Sequence, residues 1–452
     1  MNREEKRAAS GLAAIFGLRM LGMFLILPVF ALYAQHLPGG DNHTLVGLTL
    51  GMYGLTQAVL MIPFGMASDR IGRKKVIIFG LILFAFGSFV AASAHDIYWT
   101  IVGRAIQGAG AISAAVTALL ADLTREEHRT KAMALIGSTI GISFAISLIA
   151  GPALNHWIGV PGIFALTGVL SLAAIWVVTK WVPDPGPTHF HADAQANPAR
   201  LVDVLNNAQL LRLDFGIFAL HAAQMAMFVV VPVALKDAGL LPDRHWLVYL
   251  PVLLASFALM VPGIIYGEKR GKMKPVFIAS VALMLVAQIV LALGIGYFWG
   301  IVVALFLYFV AFNLLEASLP SLISKMAPVS AKGTAMGVYN TAQALGLFFG
   351  GAFGGWLAQH HGFPAVFLFC VALMVAWLLA SLGMDSPPAI RTRMFRIERM
   401  ADDQAALLRM QLSGLAGVIE AAVLAEEGVA MLKVSLAGWD EAGARQLLRP
   451  RA

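Results

Sequence analysis

The chain has 452 residues, of which 59% are hydrophobic and only 13% are charged, with a formal net charge of +7. Soluble domains carry roughly 25% charged residues, so this composition excludes an ordinary soluble protein. The single cysteine, Cys370, excludes a disulfide framework and a metal site built from cysteines.

Apolar segments of about 20 residues, long enough to cross a bilayer as a helix, recur along the chain. Twelve spans are predicted, at about 11–34, 45–67, 76–94, 97–121, 131–154, 161–182, 213–235, 245–267, 275–295, 297–322, 332–357 and 363–384. The first span is too long for the apolar part of a signal peptide, and further spans follow it. The sequence therefore predicts an all-α membrane protein.

Lysine and arginine are concentrated in alternate loops. Segments 70–75, 125–131, 269–274 and 325–332 are basic, whereas the opposite side carries only Lys236 and Arg244. Cytoplasmic loops carry the excess of positive charge, so both termini are predicted to be cytoplasmic. This bias accounts for the net charge, so the expected partner is the lipid bilayer and not a nucleic acid.

The loop after the second span carries the densest motif, Gly-Met-Ala-Ser-Asp-Arg-Ile-Gly-Arg-Lys-Lys at residues 65–75. An ordinary cytoplasmic loop would explain its basic residues but not Asp69 or the spacing of Gly65 and Gly72. The motif resembles the signature loop of the major facilitator superfamily, between transmembrane helices 2 and 3. The resemblance implies a twelve-helix secondary transporter made of two six-helix halves.

An internal repeat supports two halves. Residues 61–63 precede Asp69 as Met-Ile-Pro, and residues 260–262 precede Glu268 as Met-Val-Pro, at the same offset. Transporters built from such repeats hold their substrate near the midplane between them. The predicted units are an N-terminal half over 1–182, a cytoplasmic linker over 183–212 and a C-terminal half over 213–386.

The linker and the tail differ in composition from the spans. In the linker, apolar residues at helical spacing predict a short amphipathic helix, namely Leu201, Val204, Leu205, Ala208 and Leu211. In the tail, a strand near Phe395, a helix capped by Asp402 or Asp403, a hairpin and a last helix are predicted over 391–452. The order βαββα indicates a small ferredoxin-like domain, cytoplasmic and without thiolate ligands.

Residues 104–108, Arg-Ala-Ile-Gln-Gly, are similar to the R-x-x-Q-G motif of twelve-span drug/proton antiporters. Gly141 and Gly151-Pro152 resemble the glycine motif of the same transporters. The resemblance implies a proton-driven exporter without a cofactor, in which Arg104 transfers protons or gates the cavity. A proton/nutrient symporter is the alternative, since Ala153–Asn155 replaces the usual glycine pair after the proline.

Charged residues inside a membrane usually mark a transport pathway. Glu316 lies well inside span ten, and Arg19 lies about 10 Å from the inner end of span one. We expect the two to face each other in the cavity, either as a proton-coupling site or as a static pair. His221 is the alternative proton carrier. The other cavity candidates are polar: Gln107, Gln224 and Asn313.

The signature loop predicts a conformational latch. Asp69, at the inner end of span two, is expected to bind the backbone N–H groups at the positive end of span eleven, near residues 332–334. Arg73 and Asp122 would extend it into a charge chain, with Arg70, Gly65 and Gly72 completing the loop. Such a latch would hold the halves together when the inner gate is shut.

Other classes of protein fit less well. The chain has no phosphate-binding loop, no catalytic triad spacing and no metal-ligand cluster, so an enzyme is not expected. A membrane sensor that signals through the tail remains an alternative. We therefore expect a monomeric transporter of small molecules and protons in a bacterial inner membrane.

Overall fold

The computed structural model describes residues 1–184, 200–328, 331–386, 390–425, 428–435 and 438–448. Within them the chain forms a helical bundle followed by a small α/β tail. The bundle helices are α1 (Arg3–Phe24), α2 (Leu27–Ala34), α3 (His43–Ile71), α4 (Arg73–Ala92), α5 (Ile97–Ala109), α6 (Ser113–Leu123), α7 (Glu126–Trp176), α8 (Leu201–Leu205), α9 (Ala208–Asp237), α10 (Trp246–Lys269), α11 (Met273–Gly294), α12 (Phe298–Met326), α13 (Lys332–His361) and α14 (Phe363–Leu382).

Ten segments of the described chain are long and apolar enough to cross a membrane. They are α1 with α2, α3, α4, α5 with α6, α7 with the turn after it, α9, α10 with the turn before it, α11, α12 and α14. Large apolar side chains on their surfaces are exposed, as with Phe79, Leu254 and Leu379. Such a surface suits lipid and not water.

Local sequence explains where the helices begin and bend. Asn42 caps α3 by accepting hydrogen bonds from the N–H groups of Thr44 and Leu45. Gly72, with φ 110°, separates α3 from α4, and this backbone conformation suits glycine alone. Within α7, Gly159 takes the non-helical angles φ 66° and ψ 173°, so the 51-residue helix is broken there.

The two halves meet most closely where α3 runs along α13. Glycine makes this possible, because a Cβ built on Gly47 would overlap the carbonyl oxygen of Gly351. Near the start of α3, the N–H of His43 donates to Gln359 Oε1 at 2.7 Å. We call this end of the bundle the His43 end and the opposite one the Asp69 end.

The predicted amphipathic helix of the linker is shorter than expected. Part of the linker, 185–199, lies outside the described residues, and α8 covers only 201–205. Ala208 and Leu211 belong to α9, because Asn207 caps a new helix there. Val204 is fully buried, so α8 packs onto the bundle.

The tail contains β1 (Ile390–Arg396), α15 (Asp402–Ser413), β2 (Val418–Leu424), β3 (Val429–Ser435) and α16 (Glu441–Leu447). The strands form one antiparallel sheet in the order β1-β3-β2. The predicted cap of α15 is wrong, since Ala401 holds that position. Asp402 and Asp403 instead lie in the first turn, where their negative charge is attracted to the positive end of the helix dipole.

Lys433 of β3 ties the tail to the bundle. Its ammonium group is buried and donates to the carbonyl oxygen of Ala327, just after α12, at 2.5 Å. It also pairs with Glu420 of β2 at 2.9 Å. The sheet face that carries Lys433 therefore lies against the Asp69 end of the bundle.

Removing the tail should leave the bundle intact, because the tail has its own buried core around Leu412 and Leu432. A chain ending at Ser386 should elute as one symmetric peak in detergent, and circular dichroism should show that the bundle helices are retained.

In the full chain, Lys433→Met removes a charged hydrogen bond worth about 1.5–3 kcal/mol. Protease cleavage between bundle and tail should then be faster than in an Arg445→Met control, and aggregation of the truncated chain would show that the tail is structurally required.

Candidate functional site

Arg19 lies in the interior of the N-terminal half. Its guanidinium donates to Ser113 Oγ at 2.7 Å and to Gln57 Oε1 at 3.2 Å. The break between α5 and α6 at residues 110–112 brings Ser113 to this position. Arg19 is therefore held by neutral acceptors from α3 and α6.

Arg104 lies deeper in the same half and is fully buried. It donates to Gln107 Oε1 at 2.9 Å and to the carbonyl oxygen of Leu50 at 3.4 Å. Gln107 in turn donates to Ser88 Oγ of α4 at 2.7 Å. The R-x-x-Q spacing thus places the side chains of Arg104 and Gln107 on one face of α5, three residues apart.

Tyr53 joins the two arginines. The guanidinium carbons of Arg19 and Arg104 lie 5.7 and 4.9 Å from the centre of its ring. Its hydroxyl group is buried without a hydrogen-bond partner in the described part of the chain. These residues, with Gln57 and Gln107, form what we call the arginine cluster.

The C-terminal half holds a second polar group around His221. With the hydrogen on Nδ1, His221 donates to the carbonyl oxygen of Ile217 at 3.2 Å, and Nε2 accepts from Gln343 of α13 at 2.8 Å. Glu316 Oε2 of α12 lies 3.8 Å from the same Nε2. The His221 side chain is 2% exposed and that of Glu316 is 19% exposed.

The predicted pairing of Arg19 with Glu316 is wrong in this conformation. Arg19 bonds within the N-terminal half, and Glu316 faces His221 across α9 and α12. The reason is that Ser113 and Gln57 lie within reach of Arg19. His221, predicted as the alternative proton carrier, is the direct neighbour of Glu316.

Two further predicted cavity residues lie apart from this pair. Asn313 donates to Ser256 Oγ of α10 at 2.9 Å, so it links two helices. Gln224 is fully buried on α9, and neither its amide oxygen nor its nitrogen has a partner among the described residues.

The sequence reasoning missed Asp214. Both of its carboxyl oxygens are buried without a partner in the described part of the chain. The predicted span starts at 213, which leaves Asp214 at its edge. The helix begins earlier, at Ala208, because Asn207 caps it. An Asn followed by a helical pattern was the available signal.

Aromatic contacts close the bundle near its centre. The ring of Phe144 on α7 lies 5.0 Å from that of Phe24 and 5.5 Å from that of Phe312. Phe312 also lies 6.0 Å from the ring of His221. Toward the His43 end, Lys236 donates to Gln35 at 3.0 Å between the two halves.

Arg73 is the centre of the signature loop. It contacts Asp69, donates to Ser68 Oγ at 2.8 Å and donates to Asp122 Oδ2 at 3.2 Å. The predicted charge chain of Asp69, Arg73 and Asp122 is therefore present. Arg70 is exposed outside it.

The predicted contact between Asp69 and the start of α13 is not formed in this conformation. Within the described residues, no hydrogen bond joins them, and the Asp69 side chain is 43% exposed. A Cβ on Gly65 would make only an ordinary 3.4 Å contact with Ala114, so close packing does not require glycine there.

The signature loop also holds the beginning of the linker. Lys74 donates to the carbonyl oxygen of Val182 at 2.7 Å and to Asp184 at 2.6 Å. The hydrogen bond from the Lys74 ammonium lowers the pKa of the Asp184 carboxyl group.

The arrangement of helices and of the signature loop matches known proteins. The sequence fits the Major Facilitator Superfamily over residues 12–351 and 244–409. It is 46% identical to the inner membrane transport protein YajR of Escherichia coli, over 96% of this chain and 95% of that protein. It is 23% identical to the quinolone resistance protein NorA of Staphylococcus aureus, over 75% of this chain and 87% of that protein.

Among solved structures, that of a D-xylose–proton symporter has the same fold, with a TM-score of 0.66 and 15% identity, over 84% of this chain and 98% of that chain. Similarity to these proteins extends over most of the described bundle, and their names describe transport or drug resistance and no enzymatic activity. The chain therefore belongs to the major facilitator superfamily and is a membrane transporter.

Proposed function

We propose that this transporter is a proton-coupled exporter of small molecules that works by alternating access. The observation that carries the proposal is the pair of His221 and Glu316 in the bundle interior, with 3.8 Å between Nε2 and Oε2. An acid next to a histidine can hold or release a proton near neutral pH. They lie on α9 and α12, which both contact α13, and α13 in turn packs against α3 of the N-terminal half.

The proton would move between the two side chains and change their attraction. With Nε2 unprotonated, His221 accepts from Gln343, and Glu316 has no hydrogen-bond donor at Oε2 among the described residues. A proton on Nε2 would instead turn the imidazole into a donor toward Glu316. That exchange would break the bond to α13, so protonation and helix movement would be linked.

Export is favoured over import by two similarities. The R-x-x-Q-G motif resembles that of drug/proton antiporters, and NorA is named for quinolone resistance. The fold shared with a D-xylose–proton symporter keeps uptake as the alternative. A cargo test with a quinolone and D-xylose separates the two directions.

The ten apolar segments become twelve crossings if α7 is counted as two spans and α13 is added as a further span. Gly159 breaks α7 in the middle, and α13 has 30 residues, enough to cross a bilayer. With the basic loops on the cytoplasmic side, the Asp69 end, both termini and the tail face the cytoplasm of a bacterial inner membrane. The protein would act as a monomer, with the tail as a ferredoxin-like accessory domain.

The conformation described is then open toward the cytoplasm. The His43 end is closed by the α3–α13 contact, whereas Asp69 is not joined to the start of α13. The latch would form when the cytoplasmic side closes. The Asp69 carboxylate would then lose its contact with solvent and accept hydrogen bonds from backbone N–H groups at the start of α13. Arg73 would hold the Asp69 side chain in place.

A sensor function is the second candidate, because Lys433 connects the tail to the segment between α12 and α13. Movement of α12 on ligand binding would be transmitted to the sheet. Gradient-driven transport by a chain that ends at Ser386 distinguishes the two, since a transporter retains flux without its tail.

The proton pair gives the most direct test. Glu316→Gln and His221→Gln should each abolish extrusion of a fluorescent quinolone such as norfloxacin from proteoliposomes driven by a proton gradient. Binding of the quinolone should survive in Glu316→Gln and lose its pH dependence between roughly pH 5 and 8. Glu398→Gln, an exposed change in the tail, serves as the control. Uphill extrusion that persists in both variants would place the coupling site elsewhere.

The latch predicts a defect in transport without one in folding. Asp69→Asn removes the charge that Arg73 and the start of α13 would share, so extrusion of the same quinolone should fall by at least about tenfold, the effect of a lost charged hydrogen bond. The elution profile in detergent should match the wild type. Asp203→Asn, in the exposed linker, should transport normally; wild-type flux in Asp69→Asn would rule out the latch.

The glycine contact predicts a shift between conformations. Gly47→Ala places a methyl group against the carbonyl oxygen of Gly351, so the closed His43 end should open. Spin labels at Asp41 and His361 in a Cys370→Ala background should report longer distances in this variant. Gly296→Ala, where a Cβ meets nothing within 4 Å, is the matched control. An unchanged distance distribution would show that this contact does not hold the end closed.

A further inference from the structure

The arginine cluster holds two buried positive charges without a negative one. In the described residues, neither Arg19 nor Arg104 forms an ion pair, and all four of their hydrogen bonds go to neutral oxygens. The Nε atoms of both arginines and the hydroxyl group of Tyr53 are buried without partners.

Such an arrangement is costly unless an anion completes it. Charged side chains within a membrane protein are normally paired with each other or line a pathway. Hydrogen bonds from arginine to a carboxylate are about twice as strong as those to neutral acceptors. A carboxylate entering the cluster would therefore displace Gln57 and Ser113 from Arg19.

The opposite half buries acidic side chains and histidine. No lysine or arginine side chain is buried in the described parts of α9 to α14, whereas Asp214 is buried there and Glu316 is largely so. A negatively charged molecule between the halves would be attracted to Arg19 and Arg104, and Asp214 and Glu316 would repel it when ionised. Only the N-terminal half therefore offers an anion a favourable electrostatic environment.

The donors of the cluster surround a single residue, Tyr53. Both guanidinium groups lie beside the ring of Tyr53, at 5.7 and 4.9 Å from its centre to the guanidinium carbons. The tyrosine hydroxyl can donate to a third position on the same anion. Phe24 follows Arg19 by five residues on α1, and its ring packs on that of Phe144 at 5.0 Å, so these rings could contact the apolar body of such an anion.

We propose that Arg19, Arg104 and Tyr53 bind the carboxylate group of a transported organic anion. The inference rests on the proposed transport function, whose substrate class it specifies. Arg104 then serves as a substrate contact in addition to its hydrogen bond with Gln107. The proton site at His221 and Glu316 is separate from it, so the two can be tested independently.

The test is a binding measurement on the purified full-length protein in detergent, without a proton gradient. The probes are 2-naphthoate, the neutral isostere 2-naphthamide and inorganic phosphate. Naphthoate should bind and raise the melting temperature, and naphthamide should bind at least about tenfold more weakly, as expected for loss of charge-assisted hydrogen bonds.

Substitutions in the arginine cluster test whether its residues bind the carboxylate of naphthoate. Arg19→Gln and Arg104→Gln should each weaken naphthoate binding about 10- to 100-fold and remove the preference over naphthamide. Arg19→Lys and Arg104→Lys should restore part of that preference, and Tyr53→Phe should weaken binding without abolishing it. Arg445→Gln, on the exposed surface of the tail, should bind as the wild type does. The Lys variants and Tyr53→Phe keep the test valid if a Gln variant does not fold.

Each other result overturns the proposal. Equal binding of naphthoate and naphthamide would show that charge is not recognised. Preference for phosphate would indicate an inorganic anion site. No naphthoate binding by a protein that still extrudes quinolone would refute this inference alone, whereas naphthoate binding with no gradient-driven transport would refute the proposed function and leave the anion site standing.

Discussion

The interior of the bundle depends on one constraint, which is that lipid offers no hydrogen-bond partners to a polar side chain. A buried polar group is therefore stabilised by a partner on its own or another helix, and partners on other helices fix how the helices are rotated. Arg19 bonds to α3 and α6, and Asn313 bonds to α10. Where such partners are lacking, as at Tyr53 and Asp214, the chain has kept groups that packing alone does not explain.

The constraint divides the two halves by charge. Arg19 and Arg104 are buried in the helices before the linker, whereas Asp214, His221 and Glu316 lie on helices after it. The proposed anion site and the proposed proton site therefore use different side chains, so the two ligands would not compete.

The signature loop shows how one residue can connect several functions. Arg73 joins the end of α3 to the end of α6 through Asp69 and Asp122, and its neighbour Lys74 holds the beginning of the linker. The loop thereby connects α3, α4, α6 and the beginning of the linker. Because Asp69 remains 43% exposed, it is accessible for the proposed contact with α13.

The sequence by itself determined the features that depend on neighbouring residues. Hydropathy located the spans, the motif at 65–75 predicted the charge chain around Arg73, and alternating patterns indicated the strands of the tail. Tertiary structure decided which distant side chains meet. Glu316 faces His221 and not Arg19, and Asp214 is buried, because helix rotation and the cap at Asn207 set these positions. Composition and residue spacing do not specify how one helix is rotated against another. Residues nearly a hundred positions apart, such as His221 and Glu316, therefore could not be paired from the sequence.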